Sequence, residues 1–288
     1  MNERPRELAW LERSADGRAW LERLASLVAQ CAEEWSLELG PPFADAYLSL
    51  AMPARLPDGT DAVLKVAYPH AEAEHEAAAL ARWDGNGAVR LLRHDTERWA
   101  LLLERCTPGT PLSGAGQEEG LGVLADLLQR LWVPAGAPFR PLAEEAEGWA
   151  ESMPGNWKRM GRPFERTLLD TAVEALRDLS RSQGEQVLLH QDLHGDNVLR
   201  AEREPWLVID PKPLVGEREF GLAPIVRSFE FGHSQRDVLR RLDRLSDELQ
   251  LDRERARLWA IGQTIAWCFD TKSLERHLQT ARWLVDGG

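Results

Sequence analysis

Between residues 187 and 210 three short apolar runs, VLL, VL and WLVI, follow one another. Runs this short, rich in Val, Leu and Ile and bounded by polar residues, read as strands. They stand in a part of the chain that otherwise repeats its apolar residues at helical spacing. GLGVLADLLQRLW (120–132), RTLLDTAVEALRDLS (166–180) and RARLWAIGQTIAWCF (255–269) all show it. The C-terminal part therefore cannot be a plain helix bundle, because a small piece of sheet has to be set among its helices. The stretch between the first two runs is HQDLHGDN, which packs two histidines, two aspartates and an asparagine into eight residues. A loop that polar between two buried strands calls for a chemical reason.

The N-terminal part is patterned differently. Trp20, Leu21, Leu24, Leu27, Val28 and Cys31 share a helical face within 16–35. Gly40, Pro41 and Pro42 stop that helix, and strand-like alternation resumes through LSLAM. PDG at 57–59 marks a turn, and AVLKVAY (62–68) is a strand with one lysine inside it. An Ala- and Glu-rich helix is expected over 70–83, closed by Gly85 and Gly87. WALLLERC (99–106) is a buried strand and TPGTPL a loop. The pattern predicts an α+β protein with a small sheet-rich lobe over 1–105 and a larger, mainly helical lobe over 106–288.

With 288 residues, the chain is long enough for two such cores. Its net charge of −12 lacks the basic footprint of a nucleic-acid binder and offers no attraction to an anionic membrane surface. It would suit a cationic small molecule. The start, MNERPRELAW, is charged and unlike a signal peptide, and no apolar run approaches the roughly 18 residues of a membrane span. Cys31, Cys106 and Cys268 fit neither a disulfide framework nor a zinc spacing, so reduced thiols and a cytoplasmic protein are expected. A monomer or weak dimer is the expected state.

The chemistry sits at His190-x-Asp192-x-x-x-x-Asn197, with Asp210 at the end of WLVID. Asn197 offers an amide oxygen and Asp210 a carboxylate at a strand end, both hard ligands suited to Mg²⁺. Asp192, on the loop before them, is placed to orient a hydroxyl or accept its proton. Phosphoryl transfer asks for this set together with a lysine on the phosphates. Lys65 is the candidate, since an ammonium inside AVLKVAY is costly unless paired or ligand-bound. The alternative is an edge-strand lysine facing water. Its candidate partner is Glu76, on one helical stripe with Ala73, Leu80 and Trp83; Glu72 is the second choice and Glu74 lies off the stripe.

On AVLKVAYP, EAAALARWDGNGAVRLL, LLLERCTPG, HQDLHGDNVL and WLVIDPKPLVGEREF the chain resembles the aminoglycoside phosphotransferases, which have a protein-kinase-like fold. WDGNGAVRLL and IDPKPLVGE point to the streptomycin 6-phosphotransferase and hydroxyurea-resistance kinase branch. The resemblance runs from about Gly40 to Gly221. It implies ATP and Mg²⁺ as cofactors and a cationic small-molecule acceptor such as streptomycin. Asp192 would be the catalytic aspartate, Asn197 and Asp210 the Mg²⁺ ligands, and Lys65 with Glu76 the phosphate clamp. Backbone around Glu104 to Cys106, in the link between the lobes, would hydrogen-bond the adenine, and His190 would orient the loop.

The chain departs from the family in two places. The phosphate-covering turn, PPFADAY, carries alanines where glycines are expected. Gly221 stands where the family often has an aspartate, so if that aspartate braces the catalytic loop, another group must do so. Trp20, Trp35, Trp83, Trp132 and Trp259 read as core. Trp267 and Asp270 are candidates to line an acceptor pocket; the alternative for Asp270, as for Asp170 and Glu230, is a solvated charge. RRLDRLSDELQLDRERAR reads as an exposed helical surface, and PGNWKRMGRPF as a connection or a loop beside the cleft. The rival readings are a metabolic kinase of the same fold, acting on an amino alcohol, a glycated amine or a sugar, and a nucleotide-binding pseudokinase.

Overall fold

The computed structural model describes residues 6–44, 48–270 and 273–288. The chain divides into two compact units, Met1–Gly109 with Ala201–Pro205, and Thr110–Arg200 with Trp206–Gly288. The first break falls within TPGTPL. The return of 201–205 to the first unit has no counterpart in the sequence pattern.

Unit 1 begins with a 3₁₀ turn (Arg6–Arg13) and helix α1 (Ala15–Trp35), whose N-cap Ser14 accepts from Gly17 N–H. A five-stranded sheet follows, built from β1 (Glu38–Leu39), β2 (Ser49–Arg55), β3 (Asp61–Ala67), β4 (Leu91–Asp95) and β5 (Ala100–Glu104). Its spatial order is β1-β2-β3-β5-β4, with every pair antiparallel. The alternation in these strands places Leu50, Met52, Leu64, Val66 and Leu102 in one buried cluster with Trp20, Leu24, Val28 and Cys31 of α1. Lys65 alternates to the other face of β3. That strand is the middle one of the five, so the edge-strand reading of Lys65 fails. Helix α2 covers Glu76–Trp83 only. The Ala/Glu-rich stretch before it, expected to be helical from residue 70, is a turn, since helix propensity is a weak prior that local context overrides. Edge strand β4, largely exposed, carries no buried alternation to announce it.

Unit 2 holds α3 (Gln117–Leu131), α4 (Leu142–Arg159), α5 (Arg166–Arg181), α6 (Ala223–Arg227), α7 (Gln235–Glu248), α8 (Arg253–Trp267) and α9 (Leu274–Asp286). Its small sheets are β6 (Arg140–Pro141), β7 (Val187–Leu189) and β10 (Leu214–Gly216) in the order β6-β10-β7, and a hairpin of β8 (Val198–Arg200) with β9 (Trp206–Val208). β7, β8 and β9 are the three apolar runs VLL, VL and WLVI. Helix α8 is buried from Trp259 to Ile265, and Gly262 lets it approach α5: a Cβ there would stand 2.5 Å from a methyl of Leu176. PGNWKRMGRPF is not all loop, because α4 continues through Pro154 to Arg159. Buried Trp157 anchors its end by donating from Nε1 to Phe164 O at 3.0 Å. Trp20, Trp35, Trp83 and Trp259 are buried as expected, and Trp132 is half-buried. Among the described residues no helix is long and apolar enough to cross a membrane.

Candidate active site

In unit 1, Lys65 Nζ lies 2.6 and 2.7 Å from the two oxygens of Glu76. Both residues are buried, at 7% and 2% exposure. The pairing follows from two periodicities. Period two turns Lys65 away from α1, and the stripe of α2 that buries Leu80 and Trp83 also turns Glu76 inward. Glu72, the second choice, precedes the helix.

Glu104 ends β5. Its N–H donates to Arg90 O at 2.9 Å, while its carboxylate accepts from Arg90 N–H at 2.9 Å and from Arg203 at 2.7 and 2.9 Å. Burial alone would raise its pKa, but Arg203 and Arg90 outweigh that and hold it below the ordinary value. The same arginine donates to the carbonyls of Gly85 and Ala88, so Ala201–Pro205 is riveted to unit 1 by one side chain. Burial pushes the Cys106 thiol up to about 12, which makes it a poor nucleophile. Asp45, Ala46 and Tyr47 of the glycine-poor turn lie outside the described residues. Before them, Phe43 N–H donates to Ala51 O at 2.9 Å.

In unit 2, β7 delivers the chain to His190 and the β8–β9 hairpin receives it at Val198. His190 is buried and donates from Nε2 to Ile209 O at 2.9 Å, which leaves Nδ1 to accept Asp192 N–H at 3.3 Å. Burial depresses its pKa to about 4, so the ring is neutral and its tautomer is set by these two bonds. The two bonds tie the start of the loop to Ile209, just past β9, and to the Asp192 backbone.

The Asp192 carboxylate is gripped at both oxygens. Oδ1 lies 2.8 Å from Arg227 Nη2, and Oδ2 lies 3.0 Å from Lys212 Nζ. Burial would raise this acid, but Lys212 and Arg227 outweigh burial and hold it well below the usual carboxylate range. Trp267 backs the grip, with its ring centroid 4.7 Å from Lys212 Nζ and 4.5 Å from Arg227 Cζ. A residue expected to line an acceptor pocket thus supports the cations that fix Asp192. The side chain of Asp270 lies outside the described residues. Asp170 is a surface charge, paired with Arg166 one turn away at 2.7 Å.

Asn197 donates from Nδ2 to Asp192 O at 2.9 Å, with His194 Nε2 at 3.2 Å. Among the described residues its Oδ1 takes part in no hydrogen bond. Ile209 N–H donates to Asn197 O at 2.9 Å, extending the β8–β9 ladder, so Asp210 stands one residue beyond the position opposite Asn197. Asp210 is exposed and adopts φ 57°, in the left-handed region.

Glu230 is not a solvated charge. It receives His194 Nδ1 at 2.6 Å and the backbone N–H groups of Gly195 at 2.5 Å and Asp196 at 3.3 Å. Burial opposes a charged His194, but the carboxylates of Glu230 and Asp192 outweigh it and raise its pKa. Glu230 also explains Gly195: a Cβ there would stand 2.7 Å from its Oε2 and 2.8 Å from Ser113 N. Gly221 packs against a different neighbour, since a Cβ would lie 3.1 Å from Trp132 Nε1. The loop is therefore braced by Glu230 and Arg227. Nothing in the local sequence marks Arg227, and Glu230 reads there as a solvated charge. Lys212 alone carried a signal, two residues after Asp210 in IDPK.

A sheet with a buried Lys–Glu pair, and a helical unit presenting a fixed aspartate beside an asparagine and a strand-end aspartate, define the class: a protein-kinase-like phosphotransferase. Solved structures agree on the fold. Choline kinase LicA from Streptococcus pneumoniae superposes with a TM-score of 0.65 at 13% identity, covering 92% of this chain and 99% of that one. Aminoglycoside phosphotransferase APH(4)-Ia, in ternary complex with ADP and hygromycin B, gives 0.58 at 13% identity, covering 89% and 94%. Residues 34–270 match the model of the aminoglycoside/hydroxyurea antibiotic resistance kinase family, and the chain belongs to that family. The streptomycin 6-kinase of Streptomyces griseus is 39% identical over 280 residues, 95% of this chain and 87% of that protein. The hydroxyurea phosphotransferase of Kitasatospora aureofaciens is 41% identical over 259 residues, 88% and 75% of the two chains.

Proposed function

We propose that the protein transfers the γ-phosphoryl group of ATP to a hydroxyl of streptomycin or a related guanidinylated cyclitol. The observation that carries the chemistry is the two-cation grip on Asp192. The phosphoryl transition state needs little covalent help and much positioning. Asp192, ionised and immobile, accepts a hydrogen bond from the acceptor hydroxyl and aims its oxygen at the γ-phosphorus. As the new O–P bond forms and the bond to ADP breaks, the hydroxyl proton passes to Asp192. Because Lys212 and Arg227 keep the carboxylate so weakly basic, the proton moves late and orientation comes first.

Lys65, oriented by Glu76, holds ATP phosphates. Glu104 N–H is already given to Arg90, so donors to the adenine edge fall to the backbone from Arg105 to Cys106. The oxygens of Asn197 and Asp210 fit Mg²⁺: the amide nitrogen of Asn197 is spent on the loop, its Oδ1 remains as a metal ligand, and Asp210 is a hard carboxylate beside it. Mg²⁺ bound there would neutralise phosphate charge. A cytoplasmic setting, with ATP at hand and thiols reduced, suits the free Cys31, Cys106 and Cys268.

Streptomycin is supported by the S. griseus relative and by the net charge of −12. A second acceptor, hydroxyurea, is supported by the K. aureofaciens relative. The test is ADP release from Mg·ATP with streptomycin, hydroxyurea, choline or no acceptor. Stimulation by streptomycin alone supports the first reading and by hydroxyurea alone the second. Stimulation by neither would remove both.

A further inference from the structure

Arg241 occupies a position that the apolar stripe of α7 would give to a leucine. Val238, Leu242 and Leu245 around it are buried, and Arg241 itself is 0% exposed. This corrects the expectation of a wholly solvated helix. Among the described residues no carboxylate hydrogen-bonds to its guanidinium, and Asp237 and Glu230 act on it only through space. Nη1 donates to the carbonyls of Phe231 at 3.2 Å and Gly232 at 2.8 Å, and Nη2 to those of Val226 at 3.0 Å and Ser228 at 2.8 Å. Nε has no partner among the described residues. Burying a guanidinium with one donor unmet and no anion in contact is a poor way to stabilise a helix stripe.

The four carbonyls belong to one segment, 226–232. Two of them stand at the C-terminal end of α6, where carbonyls lack partners within the helix. The same segment carries both braces of the catalytic loop. Arg227, between two gripped carbonyls, reaches Asp192, and Glu230, also between two, reaches His194, Gly195 and Asp196. The segment has no slack. The Phe231 ring comes within 2.3 Å of where a Cβ of Gly120 would stand, and Gly232 sits at φ 90°.

We infer that Arg241 is a positioning residue for Asp192: by clamping 226–232 it sets where Arg227 and Glu230 meet the catalytic loop. It touches no reacting atom. The inference rests on the assignment of Asp192 made above.

The test compares wild type with Arg241→Lys, which keeps the charge but loses the two-pronged fork. Gly232→Ala is the second variant, which keeps Arg241 and strains the segment it holds. Acceptor-dependent ADP release is measured well below each variant's melting midpoint. Hydrogen–deuterium exchange is followed in peptides covering 190–200 and, as a control, α5. Both variants should lose about tenfold or more in kcat with KM for ATP changed less than about threefold, because positioning and not nucleotide binding is lost. Exchange over 190–200 should speed up while α5 stays at the wild-type rate. A lowered melting midpoint with wild-type kcat and wild-type exchange over 190–200 would reduce Arg241 to a core residue and overturn the inference. If the wild type turns over no acceptor, the functional reading fails, and the exchange arm still decides whether Arg241 holds the loop.

Discussion

The Lys65–Glu76 pair of unit 1 allows an energetic test. Both side chains are almost wholly buried, at 9% and 3% exposure, and Nζ meets both carboxylate oxygens within 2.7 Å. In such a place each partner offsets most of the desolvation cost of the other. Removing one therefore costs about 3–5 kcal/mol, far above the roughly 0–1 kcal/mol of a surface pair. Lys65→Met and Glu76→Gln should each lower the unfolding free energy of unit 1 by an amount of that order. The double variant should cost clearly less than the two single losses together, because it removes the second charge along with the first. We expect an interaction energy of roughly 2 kcal/mol from the cycle. Urea denaturation followed by fluorescence is the assay, in which Trp20, Trp35 and Trp83, all buried in unit 1, contribute to the signal. Additive losses, or single losses below about 1 kcal/mol, would show that the pair is effectively solvated and refute the reasoning.

The remaining predictions are simpler. His190 is buried neutral, with its pKa depressed by burial from 6.5 to about 4. The unfolded chain binds its proton first as pH falls, so the native state should be at full stability above pH 6.5 and lose roughly 3 kcal/mol by pH 4; a flat urea midpoint across that window would contradict this. Gly148 is exposed in α4 with nothing near its Cβ position, so Gly148→Ala should stabilise by about 0.5–1 kcal/mol. Gly262→Ala, in α8 against Leu176, should destabilise by about 1–3 kcal/mol, and equal signs for the two changes in a melting assay would refute the packing account.

Much of the architecture was legible because it is local. Period two in AVLKVAY and period 3.6 in EAAALARW orient Lys65 and Glu76 without knowledge of the rest of the fold. The strands around HQDLHGDN announce themselves by composition, and Asp192, Asn197 and Asp210 fall on one loop and hairpin. What was not legible depends on where distant segments meet. Arg227 and Glu230 are 35 and 34 residues beyond their partners Asp192 and Asp196. No periodicity marks them, and Glu230 in SFEF looks like any surface acid. Arg241 hides inside a charge-rich helix. Helix α2 was overextended because Ala and Glu favour a helix wherever they fall. Edge strand β4 went unseen because LLRHD has too little buried surface to leave a pattern.

The central claim is that Asp192 orients the acceptor and takes no part in holding ATP. The direct measurement is Asp192→Ala, in two readouts on one preparation: Mg·ATP affinity by calorimetry and streptomycin-dependent ADP release. The account predicts nucleotide affinity within about threefold of wild type and a loss of at least about a thousandfold in kcat. A variant that keeps a tenth or more of the rate, or one that loses ATP binding together with turnover, would contradict it.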